Sequence, residues 1–264
     1  MLLWSRAGRW AACLVVVVLI AWLFGLPMLT LLLASVAGSW NGVLPDRLVL
    51  ANFQSAPFTQ GPALVASVTT ALVATLIALV VGGWFALVAR RLDRRVARWL
   101  DVLLMLPVAV PSVVIGLSLL VAFSEPPLVL DGTALIVMLA HAIIVTPFAY
   151  STISAGLRGL DPAYEQVAAS LGAHPARVLA TVTVPLVLPS TVAAAGLCFG
   201  LSMGELGATS MVYPANWATL PVTIFTLADR GNYFPAAALA VILLAVTFVV
   251  LWLMTRVRSR AAFR

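Results

Sequence analysis

Residues 156–189 read GLRGLDPAYEQVAASLGAHPARVLATVTVPLVLP, and they separate two long apolar runs with a segment too polar to cross a bilayer. Asp161 and Pro162 predict the start of a helix, because a carboxylate suits the N-cap and proline suits the first helical position. We expect this helix over residues 162–171. Gly172 then supplies the left-handed residue that commonly ends a helix.

A second short helix is predicted directly after this turn. His174 and Pro175 mark its start, and it runs towards Pro185. Residues 156–185 therefore form two short helices joined by a sharp turn, and we call this segment the elbow. Such a segment between membrane spans is typical of a surface that a partner in the water contacts. The alternative is a plain linker of two amphipathic helices.

The composition places the chain among α-helical membrane proteins with several spans. Of its 264 residues, 63% are hydrophobic and 9% are charged, and the mean hydropathy is +1.12. Such values leave too little polar surface for a soluble domain. The net charge of +6 does not indicate nucleic-acid binding, because most of the arginines flank apolar runs, as membrane anchors do.

Six apolar runs are each long enough to cross a hydrocarbon core about 30 Å thick. We number these predicted spans one to six, and they cover roughly residues 11–37, 63–89, 102–123, 133–157, 186–212 and 234–255. The sequence thus predicts an all-α fold, with a single membrane domain over residues 1–264 and both termini on one side. The first run is too long for the apolar region of a signal peptide, so we expect an uncleaved anchor.

The arginines predict which side of the membrane each loop occupies. Thirteen of the fifteen lie on the side of the termini and the elbow. These are Arg6, Arg9, Arg90, Arg91, Arg94, Arg95, Arg98, Arg158, Arg177, Arg256, Arg258, Arg260 and Arg264. Arg47 and Arg230 lie on the other side. Because arginine is concentrated in cytoplasmic loops, both termini and the elbow are predicted to be cytoplasmic.

The sequence carries no pattern that indicates catalysis or metal binding. It has no lysine, and therefore no Gly-Lys-Ser/Thr loop to hold the phosphates of ATP. Cys13 and Cys198 both lie within apolar runs, which argues against a disulfide framework or a metal site. A membrane-embedded enzyme would need His, Asp and Glu clustered near one membrane face, and they are not. We therefore expect a transport subunit and not an enzyme.

The elbow resembles the EAA loop of the inner-membrane permeases of binding-protein-dependent ABC importers, the MetI-like family. The residues that carry the resemblance are Glu165, Ala168, Gly172, Ala173 and Pro185. The chain departs from the pattern at Gln166, Val167 and Leu179, where a second acid, an alanine and a phenylalanine are common. The resemblance implies that the elbow is a coupling helix that docks on an ATP-hydrolysing subunit.

The same resemblance implies the remaining parts of the transporter. A MetI-like core would cover about residues 63–255, in a multi-pass protein of the bacterial inner membrane that works by alternating access. Its partners would be ATP-binding subunits, a second permease subunit, a periplasmic or lipid-anchored solute-binding protein and membrane lipid, with no nucleic acid. No cofactor is expected in this chain, since ATP and Mg would be bound by the ATPase.

Four further stretches resemble the permease subunits of 2-aminoethylphosphonate importers. They are residues 1–9 (MLLWSRAGR), 40–45 (WNGVLP), 202–209 (SMGELGAT) and 219–232 (TLPVTIFTLADRGN). This resemblance implies 2-aminoethylphosphonate as the solute, which composition and spacing alone do not identify. The third stretch is less selective, since permeases for sulfate, molybdate, thiamine and iron carry similar ones. A permease for one of these solutes or for a polyamine is the alternative.

Span five carries the most polar face predicted within any span. The residues on that face are Cys198, Ser202, Glu205 and Thr209, beside a stripe of small residues at Gly196, Gly200, Gly204 and Ala208. An ionised glutamate near mid-membrane costs about 2.5–3.5 kcal/mol on insertion scales, so it should face water, a partner or a pore. We expect Glu205, with Ser202 and Thr209, to line the translocation path or its gate at the interface between permeases. The alternative is a structural glutamate that is paired or protonated between helices.

Three further residues inside the predicted spans carry expectations of their own. His141 in span four is expected to satisfy a backbone carbonyl in the packed bundle. The alternative is a proton relay with Glu205 in a secondary transporter that needs no ATPase. Pro107 and Pro111 lie one turn apart in span three and are expected to kink it.

Overall fold

The computed structural model describes the backbone of residues 6–261, and the side chains in that range except at positions 6–7, 55–59, 255 and 257–261. The side chains of Arg6, Arg258, Arg260 and Arg264, and most of residues 1–9, therefore lie outside the described part of the chain. Within that part, five helices are long and apolar enough to cross a membrane, or six spans if one bent pair counts as a span. The predicted all-α, multi-span architecture is confirmed.

The elements follow in chain order. Span one consists of α1 (Arg6–Ile20) and α2 (Leu26–Ser35), and a hairpin of β1 (Ala37–Ser39) and β2 (Arg47–Leu48) follows it. The remaining helices are α3 (Ala51–Ala89), α4 (Arg94–Ala109), α5 (Ser112–Ala122), α6 (Ala134–Arg158), α7 (Ala163–Ser170), α8 (Pro175–Val178), α9 (Val184–Met203), α10 (Thr209–Val212), α11 (Leu220–Asp229) and α12 (Tyr233–Ala261). π-helical turns join α1 to α2 (Ala21–Gly25) and α8 to α9 (Leu179–Thr183).

The chain divides into two compact units, of which the first comprises residues 1–61 and 224–242. In this unit the antiparallel strands β1 and β2 pair Ala37 with Leu48. The side-chain amide of Asn52, at the start of α3, donates hydrogen bonds to the carbonyls of Ser35 and Ala37 at 3.1 and 3.0 Å. These contacts fix the polar segment that follows span one. The single domain over residues 1–264 stays a prediction.

The second unit, residues 62–223 and 243–264, has a core of small side chains. The core cluster shared by α3, α6 and α9 consists of Ala74, Ala78, Ala142, Val145, Ala149 and Cys198. Gly82 shows how closely these helices approach, because a Cβ there would lie 2.8 Å from the backbone nitrogen of Tyr150. Van der Waals packing of this kind drives helix association where lipid already surrounds apolar surface.

Span three is broken, not merely kinked. Its two helices, α4 and α5, meet at an angle of 98°. At the break Pro111 has an extended backbone, with φ −55° and ψ 136°. Pro111 also lacks the N–H that would continue the helix, whereas Pro107 is accommodated inside α4. The predicted position of the interruption is confirmed.

Span five begins and ends earlier than the sequence predicted. The apolar helix runs from Pro175 to Met203, so the second helix of the elbow is continuous with the span. The expected continuation to residue 212 is wrong, because residues 204–208 form a loop and a new helix, α10, begins at Thr209. Gly204 and Gly207 have low helix propensity, which favours a helix end here. The predicted stripe of small residues therefore stops before Gly204.

Each π-helical turn precedes a proline by two residues. Pro27 follows the turn Ala21–Gly25, and Pro185 follows the turn Leu179–Thr183. A proline ring clashes with the carbonyl four residues earlier in a regular helix, and both of those carbonyls lie inside these turns. The wider turn makes room for the ring. The helix consequently continues through Pro185 and does not end there.

Candidate functional site

The second helix of the elbow starts where the sequence predicts, and the first starts one residue later, at Ala163. The carboxylate of Asp161 accepts a hydrogen bond from the N–H of Ala163 at 2.9 Å. At the second helix, Nδ1 of His174 accepts one from the N–H of Ala176 at 3.4 Å. Each side chain thus satisfies one of the backbone donors that a helix start leaves free.

The turn of the elbow is a helix C-cap that depends on glycine. The N–H of Ala173 donates to the carbonyl of Ala168 at 3.1 Å, and that of Gly172 donates to Ala169 at 2.9 Å. These paired bonds define a Schellman motif. Gly172 has φ +82°, a conformation that side chains with a Cβ rarely adopt. The predicted elbow residues Ala168, Gly172 and Ala173 together fix the direction in which the chain leaves α7.

Glu165 connects the elbow to two other elements. Its Oε1 accepts hydrogen bonds from Thr183 and from Arg90, which directly follows α3, both at 2.7 Å. The hydrogen bond from Thr183, together with the charge of Arg90, holds the pKa of the Glu165 carboxyl below its ordinary value. Glu165 therefore stays ionised near neutral pH. It links the C-terminal end of span two, the first helix of the elbow and the start of span five.

The first helix of the elbow has two different faces. One face lines a groove of about 540 Å³. Residues of that groove include Glu165, Ala169, Ala173, Arg90, Arg91 and Trp84. On another face Tyr164, Val167 and Leu171 are 58%, 60% and 83% exposed. We call these three the apolar row of the elbow. Their spacing of three and four residues aligns them, and large apolar side chains exposed together indicate a protein contact surface.

The breaks in spans three and five pack against each other. A Cβ on Gly116 in α5 would lie 2.6 Å from the carbonyl oxygen of Ala208 and 2.8 Å from its Cα. A Cβ on Gly207 would overlap the hydroxyl of Ser112, the first residue of α5. Irregular backbone at membrane depth is tolerated where protein buries it or where it lines a water-filled cavity. The two interruptions therefore form one irregular region inside the apolar part of the chain.

A bulky residue at position 116 should separate these breaks. We expect Gly116→Val to lower the free energy of unfolding by about 1–3 kcal/mol, because the side chain has no space beside Ala208. The thermal unfolding of the purified subunit measures this loss. Gly200→Ala is the matched control, since its Cβ would meet its nearest neighbour, Leu251, at 4.0 Å. Equal losses in the two variants would contradict the packing.

Glu205 lies in the loop of this region and not on a helix. Its Oε1 accepts the N–H of Ala208 at 2.7 Å, and its own N–H donates to the carbonyl of Ser202 at 3.2 Å. The carboxylate thus takes a backbone donor that a continuing helix would have used, which is a physical reason for the helix end. The helical face predicted to join Glu205 to Cys198 is wrong. The role of Glu205 in the translocation path stays a prediction.

His141 joins the two remaining residues predicted for the path. Its Nδ1 lies 2.7 Å from the hydroxyl of Ser202, and its Nε2 lies 2.7 Å from the hydroxyl of Thr209. All three side chains are buried. The expected backbone carbonyl partner of His141 is wrong, since both ring nitrogens bond hydroxyls. Whether Ser202 and Thr209 line the path stays a prediction.

Sequence reasoning missed several contacts that hold distant elements together. Besides Arg90 and Thr183, the indole N–H of Trp217 donates to the hydroxyl of Thr70 at 3.0 Å. The N–H of Leu220 donates to the hydroxyl of Ser67 at 2.7 Å. Ser67 and Thr70 lie three residues apart, so their hydroxyls share one face of an apolar helix, and this pattern could have indicated a polar contact there.

These features define a class of protein: a helical membrane protein with broken spans and a polar elbow that carries an exposed apolar row. Residues 78–262 match the family described as "Binding-protein-dependent transport system inner membrane component". The chain belongs to this family. It is the inner-membrane permease subunit of an ABC importer and not the ATPase, as the sequence predicted.

Relatives extend the match over almost the whole chain. The "Putative 2-aminoethylphosphonate transport system permease protein PhnV" of Salmonella paratyphi A is 44% identical over 261 residues, which cover 98% of each protein. The "Molybdenum transport system permease protein ModB" of Mycobacterium tuberculosis is 35% identical over 72% of this chain and 75% of its own length. The "Putrescine transport system permease protein PotI" of Escherichia coli is 31% identical over 74% and 72%.

Solved structures share the fold at low identity. A chain of a bacterial ABC transporter involved in the import of alginate superposes with a TM-score of 0.73 at 15% identity, covering 96% of this chain and 95% of that one. A chain of the inward-facing MetNI methionine ABC transporter gives a TM-score of 0.68 at 13% identity, covering 79% and 98%. These similarities support the fold and do not bear on the solute.

Proposed function

We propose that the solute carried by this permease is 2-aminoethylphosphonate. The proposal depends on the 44% identity over 98% of both chains to a relative named for that solute. The relatives named for molybdenum and putrescine are 35% and 31% identical over about three quarters of the chain. The first match also includes residues before position 78, outside the segment common to the family. Molybdate is the second candidate, because the molybdenum permease is the next most similar of these three.

We infer that an ATPase subunit docks on the elbow. The exposed apolar row of Tyr164, Val167 and Leu171 supplies the surface, and the Schellman turn holds it rigid. The contacts of Glu165 offer a route by which a push on the elbow reaches spans two and five. In this proposal ATP and Mg are bound by the ATPase. The partners are two such ATPases, a second permease subunit and a solute-binding protein on the opposite membrane face.

The outer loop near Trp217 is proposed to receive the solute-binding protein. Because Thr70 and Ser67 attach this loop to α3, docking there would act directly on span two. Thr70→Val with Ser67→Ala should therefore reduce ATP hydrolysis stimulated by the binding protein more than basal hydrolysis. Steady-state phosphate release with and without the binding protein measures both rates. Equal reduction of both rates would contradict this role.

Uptake by the reconstituted transporter tests the solute. Proteoliposomes are prepared with this chain, its permease partner and its ATPase, and the binding protein is added. They should accumulate labelled 2-aminoethylphosphonate only when ATP is present on the side of the membrane where the ATPase lies. Unlabelled 2-aminoethylphosphonate in excess should compete, whereas molybdate and putrescine should not. An ATPase variant that binds but does not hydrolyse ATP is the control. No accumulation of labelled 2-aminoethylphosphonate, together with ATP-dependent accumulation of labelled molybdate by the same proteoliposomes, would overturn the proposal in favour of the second candidate.

A further inference from the structure

The buried imidazole of His141 spans the interruption in span five. Ser202 lies in the last turn of α9, before the loop, and Thr209 is the first residue of α10, after it. The two hydroxyls are held at 2.7 Å from opposite nitrogens of the ring. His141 itself sits in the unbroken helix α6. A rigid helix thus contacts both ends of the loop through one side chain.

The hydrogen bonds define the roles of the two ring nitrogens. The hydroxyl of Thr209 donates to the carbonyl of Glu205 at 3.4 Å, so it accepts from Nε2–H of His141. Nδ1 is then the acceptor for the hydroxyl of Ser202. A neutral imidazole has one donor and one acceptor, and this arrangement uses both. A proton relay would need a ring nitrogen open to water or to another carrier, whereas these two are buried and occupied.

We propose that His141 is a positioning residue that holds the loop of residues 204–208 and thereby places Glu205. The hydrogen bonds run from Ser202 through His141 and Thr209 to the backbone of Glu205. The carboxylate of Glu205 completes the loop by accepting the N–H of Ala208. This inference goes beyond the proposed function, and its functional consequence rests on the predicted role of Glu205 in the translocation path.

The need for such a residue follows from the break itself. A helix that ends inside an apolar span leaves carbonyl and N–H groups that lipid cannot satisfy. Within the loop, Gly204 and Gly207 add backbone freedom. Hydrogen bonds from a side chain of a neighbouring helix limit that freedom. Because the imidazole side chain has few rotatable bonds, fixing it in place costs little conformational entropy. Removing the bonds should leave the loop mobile without removing the surrounding helices.

Labelling of a cysteine in the loop tests the position directly. Gly204→Cys has space, because a Cβ at position 204 would lie 3.8 Å from the nearest atom. The native cysteines are removed first, Cys13 by replacement with Ser and Cys198 by replacement with Ala. In the assembled transporter, His141→Leu should raise the rate of labelling of Cys at 204 by a water-soluble maleimide at least about fivefold, since it removes both bonds. A cysteine at Val43, which is 93% exposed on the chain, should label at an unchanged rate as the matched control.

Two polar replacements separate positioning from simple space filling. His141→Gln places an amide donor near Nε2 and should keep the Thr209 bond, whereas His141→Asn reaches only the Nδ1 position and should keep the Ser202 bond. In both variants the cysteine at position 204 should label more slowly than in His141→Leu, and more uptake should remain. The uptake that is lost should appear as a lower maximal rate with an unchanged KM. Ser202→Ala should add no further effect to His141→Gln, because the two changes remove the same bond, that of Ser202 to Nδ1 of His141.

Three equal labelling rates for Leu, Asn and Gln at position 141 would overturn the proposal, as would an unchanged rate in His141→Leu. If His141→Leu does not assemble with its partners, the comparison of His141→Gln with His141→Gln plus Ser202→Ala decides the question, and additive effects on the labelling rate would overturn the proposal. Labelling needs no solute, so an error in the identity of the solute would leave this result unaffected. If the loop loosens but uptake is unchanged, positioning of a functional Glu205 is contradicted.

Discussion

Glu165→Arg is expected to lower ATP-driven uptake at least about tenfold, which corresponds to about 1.4 kcal/mol lost from the productive state. The new guanidinium would face Arg90, and like charges about 4 Å apart near a protein surface repel by up to about 4 kcal/mol. The elbow should move away from α3 and lose its defined contact with span two. The ion pair is partly exposed, with side-chain accessibilities of 28% and 32%, so its own contribution to stability is small, about 0.2–1 kcal/mol. Uptake should fall far more than the unfolding temperature does.

Exchange of the two charges is the sharp test of this contact. Arg90→Glu combined with Glu165→Arg restores opposite charges at the same place, so uptake should recover a large part of its loss. Arg98→Glu, which removes another arginine from the same predicted cytoplasmic face, serves as the matched control and should have little effect. If the exchanged pair is as inactive as each single variant, while each folds and inserts, the contact of Glu165 with Arg90 does not couple the elbow to span two.

Gly172→Pro should produce the second large effect. Proline fixes φ near −65°, whereas the turn requires φ +82° at this residue. It also removes the N–H that donates to Ala169. The Schellman turn therefore cannot form, and the apolar row loses its fixed direction. We expect the ATPase to co-purify with this variant at less than about a tenth of the wild-type yield, because a loss of about 1.4 kcal/mol weakens binding tenfold.

For milder substitutions of Gly172, the loss of ATPase binding should increase with the energy that the new residue needs to adopt the left-handed conformation. Gly172→Ala should lose part of the binding, since that conformation costs a residue with a Cβ about 1–2 kcal/mol, and Gly172→Asn should lose less. Gly159→Ala is the control, because Gly159 has φ −81° and a Cβ there would meet its nearest neighbour at 3.5 Å. Co-purification with Gly172→Pro at the wild-type yield, in membranes where the variant is inserted normally, would contradict this account.

The elbow could be predicted in detail because its signals are local. Asp161, His174 and Gly172 act on backbone groups within a few residues of themselves, and each has the contact that the sequence indicates. The interruption at Pro111 is also local, since proline removes a donor wherever it stands. The family resemblance depended on the same short segment, and the family match confirms it.

Other features depend on residues far apart in the sequence and could not be predicted. Arg90 and Glu165 are 75 positions apart, and nothing in the pattern of arginines distinguishes the one that pairs. The hydroxyl partners of His141 are 61 and 68 positions away. The end of α9 at Met203 could not be predicted, because the run of small and apolar residues around it fits a continuing helix equally well. The carboxylate that supports the end there, that of Glu205, was assigned to a helical face instead.

The central claim is that work done by an ATPase enters this permease through the elbow. Cross-linking measures this most directly, with a cysteine in place of Leu171, the most exposed residue of the apolar row at 83%, and Cys13 and Cys198 replaced. In membranes that hold the assembled transporter, a short thiol cross-linker should join position 171 to a cysteine on the ATPase, and the yield should change when ATP is bound. No cross-link in any nucleotide state, or labelling of position 171 only from the periplasmic side, would contradict the claim.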